Sequence, residues 1–164
     1  MDKNTVSEHQ ARVNEICASR AEDLQMLDSL LELAESGDLD TWREIVDLMG
    51  VSNADVSRVA RFVLEDAGID VDADADASEL LDAWMNSDVL DIQVHGRRFH
   101  ARGEWEITSL VFVLTVGGPH VEFTTTGGDD VELFVSWSPE KASGRVHVPT
   151  LAGHLESLAD ALAE

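Results

Sequence analysis

Residues 108–137 have the sequence TSLVFVLTVGGPHVEFTTTGGDDVELFVSW, and the fold class follows from this stretch. It contains three runs rich in β-branched and aromatic residues, which are typical of strands. Two glycine-rich segments, Gly117–Pro119 and Gly127–Asp130, separate these runs and are typical of tight turns. The stretch therefore predicts three consecutive antiparallel strands.

The sequence on either side extends this pattern. Residues 89–95 (VLDIQVH) alternate weakly, and residues 144–148 (GRVHV) form another short apolar-polar run. After them, Pro149 and Thr150 start a last helix, in which leucines recur at helical spacing. We expect a meander of four or five strands, with the last helix covering one face of the sheet.

The first half of the chain has the periodicity of helices. Apolar residues recur at steps of three and four up to Ala34, which predicts one long helix or two abutting helices ending at Gly37. The predicted fold class is α+β: a helical, helix-turn-helix-like region over 1–69, an acidic linker and short helix over 70–88, and an antiparallel sheet with a C-terminal helix over 89–164. Ser78 is the predicted cap of the short helix.

The charge of the chain is strongly negative. The 164 residues include 33 Asp and Glu against 11 Lys and Arg, giving a formal charge of −22. Such a charge repels polyanions and favours binding to basic surfaces. The predicted partner is therefore the basic surface of a nucleic-acid-handling complex. The acidic candidates for this contact are Asp70, Asp72, Asp74, Asp76, Asp82, Asp88, Asp129 and Asp130.

One segment points in another direction. Residues 50–58 (GVSNADVSR) resemble the turn and the start of the recognition helix in helix-turn-helix repressors. The resemblance covers residues 41–66, which hold three basic and five acidic residues. The resemblance implies DNA contacts through the outward face of the second helix. The net negative charge of the segment would weaken such contacts, because it repels the phosphates. The candidate DNA-binding residues are Asn53, Ser57, Arg58 and Arg61.

A second resemblance lies in the sheet region. Residues 111–123 (VFVLTVGGPHVEF) resemble the strand–turn–strand hairpin of small acidic proteins of bacteriophages and mobile elements. Small acidic phage proteins often inhibit host restriction or CRISPR complexes. The resemblance covers about half of the β region and implies an anti-defence role for which duplex mimicry is one mechanism.

The sequence contains no recognised catalytic pattern. It has no GxSxG, P-loop or GxGxxG sequence, and its six histidines show neither HxH nor HExxH spacing. His120 and His147 are two histidines that a sheet could bring together. The acidic run over 70–76 lacks the glycine and glutamate of a calcium loop. We therefore expect no enzymatic activity, no cofactor and no metal.

Cysteine content and hydropathy restrict the location. Cys17 is the only cysteine, so no internal disulfide forms, and its helical position favours a small buried hydrophobe. No apolar run is long enough to span a bilayer, and the N-terminus lacks the apolar core of a signal peptide. We expect a cytoplasmic protein with no membrane contact, in the host cytoplasm if a phage encodes it.

Three functional hypotheses remain after these observations. The first is a non-enzymatic acidic inhibitor that binds a basic nucleic-acid-handling host complex. The second is a helix-turn-helix transcriptional regulator that uses its sheet half for dimerisation or effector binding. The third is an interaction domain whose acidity is an adaptation to high salt. The oligomeric state stays open, a homodimer included.

Overall fold

The computed structural model describes residues 3–36, 77–98, 105–115 and 118–163. Its elements in chain order are helix α1 (Lys3–Ser36), helix α2 (Ala77–Asp88), strands β1 (Asp91–Arg98), β2 (Trp105–Thr115), β3 (His120–Thr125), β4 (Asp130–Trp137) and β5 (Glu140–His147), and helix α3 (Pro149–Ala163). The predicted α+β class is confirmed. The segment that resembles a helix-turn-helix (residues 41–66) and the boundary predicted after residue 69 lie outside the described residues.

The five strands form one antiparallel sheet in the order β1-β2-β3-β4-β5. Each strand pairs with its neighbour in sequence because short turns can join only adjacent antiparallel strands. Phe112, Phe123 and Leu133 lie directly opposite one another on three adjacent strands. The two phenylalanine rings stack with centroids 4.8 Å apart. We call the side of the sheet that carries these residues the core face.

Helix α3 contacts β2, β3 and β4. Leu151 and Leu155 are fully buried, and Ala152 is nearly so. Leu162, the second-last residue of α3, is 51% exposed, so the packed part of α3 is its first half. The expectation that the last helix covers the sheet is met by this contact.

The chain divides into two compact units. Unit 1 comprises Met1–Ala21 together with Val89–Glu164, and unit 2 comprises Glu22–Asp88. Helix α1 is one continuous helix over 34 residues and contributes to both units. Of the two arrangements open at the N-terminus, the single long helix is the one observed.

Within unit 1, the first part of α1 contacts the β4–β5 hairpin. The His9 ring stacks on Trp137 with centroids 5.8 Å apart, and the Arg12 guanidinium lies 5.9 Å from the Trp137 ring centroid. The side-chain amide of Gln10 donates a hydrogen bond of 3.0 Å to the Lys141 carbonyl. These contacts fix the helix to the end of the sheet where the hairpin turns.

Within unit 2, both described helices bury apolar side chains. The buried leucines of α1 recur at steps of three and four, as an amphipathic helix requires. They are Leu24, Leu27, Leu30 and Leu31. In α2, Leu80, Leu81 and Trp84 are buried, and Trp84 is among the largest fully buried side chains.

Some local expectations differ from the structure. Strand β5 begins at Glu140 and not at Gly144, because pairing with β4 starts at the Trp137–Glu140 pair and needs no apolar alternation there. Ser78 lies inside the first turn of α2, which starts one residue earlier, at Ala77. Cys17 is half-buried and not fully buried, although it is spaced four residues after the buried Val13 and seven before the buried Leu24.

Candidate functional site

The acidic residues are unevenly divided between the two units. Unit 2 contains 19 acidic and three basic residues, a net charge of −16. Unit 1 contains 14 acidic and eight basic residues, a net charge of −6. Most of the negative charge therefore belongs to the smaller unit.

In unit 2, the described acidic residues lie on helices. The part of α1 from Glu22 to Ser36 and the whole of α2 contain eight acidic residues and no basic residue. Among those whose burial the structure describes, four side chains are exposed, namely Glu22, Glu32, Glu35 and Asp82. Glu22 and Glu32 are separated by ten residues, which is about 15 Å along a helix axis. These carboxylates are held on a regular backbone and do not belong to a solvated tail.

Other acidic residues of unit 2 point inward. Asp23 and Asp28 are buried, with 6% and 8% exposure. Asp88, a predicted contact residue, ends α2 and is half-buried, whereas Asp82 is exposed as a contact residue must be. Only part of the negative charge of this unit can therefore meet a partner.

A second acidic group lies in unit 1 at the β3–β4 turn. We call Asp129, Asp130 and Glu156 the turn cluster. Asp129 is exposed, and its backbone carbonyl accepts a 2.8 Å hydrogen bond from the Val148 amide. Glu156, on α3, accepts a 3.0 Å hydrogen bond from the Gly128 amide.

Asp130 is half-buried and more constrained. Its Oδ1 lies 2.9 Å from His147 Nδ1, and its backbone carbonyl accepts a 2.8 Å hydrogen bond from the Thr126 hydroxyl. The imidazole beside it removes part of the negative potential at this position whenever the ring is protonated. Asp129 and Glu156 are therefore the members of the turn cluster best placed to meet a basic partner.

The sheet does not bring His120 and His147 together. His120 Nε2 lies 2.7 Å from Glu122 Oε2 on the same strand, and His120 pairs with Ser136 near the end of β4. His147 pairs with Asp130 at the start of β4. Asp130 and Ser136 are six positions apart along β4, which is about 20 Å of extended strand. Within the described residues, no group of three or more His, Cys, Asp or Glu side chains could hold a metal ion.

The remaining predicted residues fall outside the described ranges. These are the linker acids Asp70, Asp72, Asp74 and Asp76, and the candidate DNA-binding residues Asn53, Ser57, Arg58 and Arg61. Of the described candidates, Asp129 and Asp130 lie on one turn of unit 1, and Asp82 and Asp88 on one helix of unit 2.

Two features were not apparent from the sequence. Glu140 is 5% exposed, and among the described residues neither of its carboxylate oxygens has a hydrogen-bond partner. Leu90, Ile92 and Val94 are exposed although they precede or belong to a strand of the sheet. The weak alternation of residues 89–95 was the only signal for the second feature, and the sequence holds no signal for the first.

The chain matches no protein-family model, and no curated protein or solved structure is detectably similar to it. None of the three described helices combines the length and the apolar character needed to cross a bilayer.

Proposed function

We propose that this protein is a non-enzymatic acidic inhibitor that binds the basic surface of a nucleic-acid-handling host complex. The observation that carries the proposal is the net charge of −16 on unit 2, together with exposed carboxylates on its helices. A groove that binds nucleic acid is lined by Lys and Arg and attracts such a surface at long range.

Binding would be favoured by the same physics that favours duplex binding. Carboxylates that neutralise Lys and Arg release condensed ions from the partner's surroundings, and the association weakens as salt is added. A duplex carries about one charge per 1.7 Å of its axis, which is denser than the described carboxylates of α1. The proposal is therefore one of electrostatic competition with nucleic acid, in which mimicry of the duplex is partial.

The setting we propose is the cytoplasm of a bacterial host, with a phage or mobile element as the source. Support for this setting comes from the resemblance of residues 111–123 to small acidic phage proteins and from the acidic charge. An anti-restriction or anti-CRISPR role fits both, because these complexes hold nucleic acid in basic channels.

The test is capture of partners on the immobilised protein from a nuclease-treated bacterial lysate, followed by elution with duplex DNA or with salt. We expect the bound proteins to be nucleic-acid enzymes that duplex DNA displaces. Purified partner should then lose bound labelled DNA when the acidic protein is added. Partners that DNA does not displace would contradict the proposal.

A matched pair of variants distinguishes binding through a specific surface of unit 2 from an effect of the net charge of the whole protein. The triple variant Glu22→Gln, Glu32→Gln, Asp82→Asn neutralises exposed acids of unit 2, and Glu8→Gln, Glu15→Gln, Asp160→Asn neutralises three exposed acids of unit 1. We expect the first variant to bind its partner about tenfold more weakly and the second to bind almost unchanged. Equal losses would show that only net charge matters.

A second candidate function rests on the GVSNADVSR segment. We propose as the alternative that the protein is a DNA-binding regulator that contacts the major groove through Ser57, Arg58 and Arg61. Fluorescence anisotropy with labelled mixed-sequence duplex at low and physiological salt tests it. Salt-sensitive binding that Arg58→Ala weakens would favour the regulator, and unchanged affinity in that variant would count against it.

A further inference from the structure

Strand β1 is an outer strand of the sheet and carries an exposed apolar row on the core face. Ile92 lies opposite Phe112, and Val94 lies opposite Leu110. Phe112 and Leu110 are fully buried, yet Ile92 is 37% and Val94 is 49% exposed. Leu90, just before the strand, is 59% exposed. In the described part of the chain, no strand lies on the outer side of β1.

The opposite side of β1 carries charges of both signs. Asp91 is near one end of the strand and Arg97 near the other, and both are exposed. The Arg97 Nε atom lies 3.3 Å from Glu106 Oε2 on β2. The irregularity in the β1–β2 pairing leaves Thr108 of β2 unpaired, so the alternation of β1 from Asp91 to Arg97 is not interrupted.

We propose that β1 pairs with β1 of a second copy of this chain, antiparallel, about a two-fold axis at Val94. Antiparallel pairing about this axis places Val94 opposite its symmetry mate and Asp91 opposite Arg97 of the partner copy. Directly opposite residues lie on the same side of a sheet, so the apolar rows of the two copies become continuous. The two five-stranded sheets join into one, and the unpaired edge that β1 presents is satisfied.

A second copy fits this edge better than an unrelated strand because β1 is self-complementary in charge. The two-fold axis at Val94 places the acidic end of each β1 strand opposite the basic end of the other. Each dimer therefore has two attractive pairs, each formed by Asp91 of one copy and Arg97 of the other. The surrounding sequence is also the least acidic of the chain, since residues 93–103 contain three arginines and no acid. Like-charge repulsion between two copies is therefore smallest at this edge.

The first experiment is sedimentation velocity over a concentration series at physiological salt. We expect the weight-average mass to rise with concentration toward twice that of the chain. Salt screens the repulsion between the net negative charges of the two copies, which acts over long distances, more than it screens the close Asp91–Arg97 pairs. Added salt should therefore strengthen the dimer. A mass that stays at that of one chain at every concentration would overturn the proposal.

Charge reversal at β1 gives a sharper test. The variants Asp91→Arg and Arg97→Asp each turn both attractive pairs into repulsive ones, and each should weaken self-association about tenfold or more. An equimolar mixture of the two variants restores both attractive pairs in a heterodimer. The mixture should therefore regain a twofold mass that neither variant shows alone.

Matched controls are Asp129→Arg at an exposed turn and Arg145→Asp on the other outer strand, which should dimerise as the wild type does. Val94→Asp should abolish the dimer with no change in far-ultraviolet circular dichroism. A dimer that persists in Asp91→Arg, Arg97→Asp and Val94→Asp would place the interface elsewhere. This inference does not rest on the proposed function: partner binding should weaken with salt, whereas dimerisation should strengthen.

Discussion

Glu140 is the first residue of strand β5, and its side chain is buried. It pairs across the strands with Trp137, whose ring contacts His9 and Arg12. Neither carboxylate oxygen has a hydrogen-bond partner among the described residues. Burying a charge without a partner is costly, and burying a neutral amide of the same shape costs less.

Replacing Glu140 by glutamine should therefore stabilise the protein. We expect Glu140→Gln to raise the free energy of unfolding by about 1 kcal/mol at neutral pH, measured by urea denaturation. The matched control is Glu132→Gln on β4, which is exposed and should change stability by less than about 0.5 kcal/mol. A less stable Glu140→Gln protein would mean that the carboxylate has a partner in solution.

Cys17 supplies a second prediction at this scale. Burial raises the pKa of its thiol above the ordinary value of 9.0, so less of it is thiolate at any given pH. We expect slower reaction with a disulfide reagent at pH 8 in the folded protein than in urea.

The same shift has a consequence for stability. Because the pKa is higher in the folded state, the contribution of the neutral thiol is fully present below pH 9.0 and is lost as the pH rises through the folded value. The Cys17→Ser variant should lack this alkaline loss. An identical alkaline loss in both proteins would show that other groups cause it.

At the scale of elements, the β3–β4 turn depends on its backbone. Gly127 and Gly128 have φ values of +73° and +97°, which L-residues with a side chain rarely adopt. Gly128 also donates its amide to Glu156 of α3, so the turn joins the sheet to the helix that covers it. We expect Gly128→Ala to destabilise the protein by about 1–2 kcal/mol.

Gly153 is the matched control, since it lies exposed on α3 with nothing within 4 Å of an added Cβ. Gly153→Ala should instead stabilise by about 0.5–1 kcal/mol, because alanine favours the helix. Thermal unfolding of both variants distinguishes backbone strain from a general effect of adding a methyl group. Equal changes in the two variants would contradict the argument.

The elements that are easiest to predict from the sequence are those with one buried face, because burial on one face makes apolar residues recur at a regular spacing. Val131, Leu133 and Val135 alternate in β4 because one side of that strand faces the core. Strand β5 was predicted too short because the side chains of Lys141, Ser143 and Arg145 are exposed and nothing apolar marks their half of the strand. The exposed row of β1 was not foreseen, since alternation predicts a strand but does not say whether anything covers it.

At the scale of the whole molecule, net charge sets the response to salt. Charges of −16 and −6 on the two units destabilise compact states by self-repulsion. We expect the melting temperature to rise over the first few tenths molar of sodium chloride and then level off, as screening saturates. A rise that continued into the molar range would favour the high-salt adaptation instead.

The candidate site could be predicted only in part, because the sequence gives the charge of a residue but not its exposure. Composition shows that carboxylates are abundant, but not which of them face water. Asp82 and Asp23 are both acidic residues on helices, and only the structure shows the first exposed and the second buried. The imidazole beside Asp130 comes from the next strand, a contact set by the β4–β5 register.

Unit 1 is discontinuous in the sequence, because Met1–Ala21 precedes unit 2 and Val89–Glu164 follows it. A ribosome therefore completes Glu22–Asp88 before it has made any strand of the sheet. At usual elongation rates of about 5–20 residues per second, several seconds pass between the synthesis of His9 and Arg12 and that of the hairpin that they contact. During synthesis, the part of α1 that belongs to unit 1 is thus made long before the strands that it contacts.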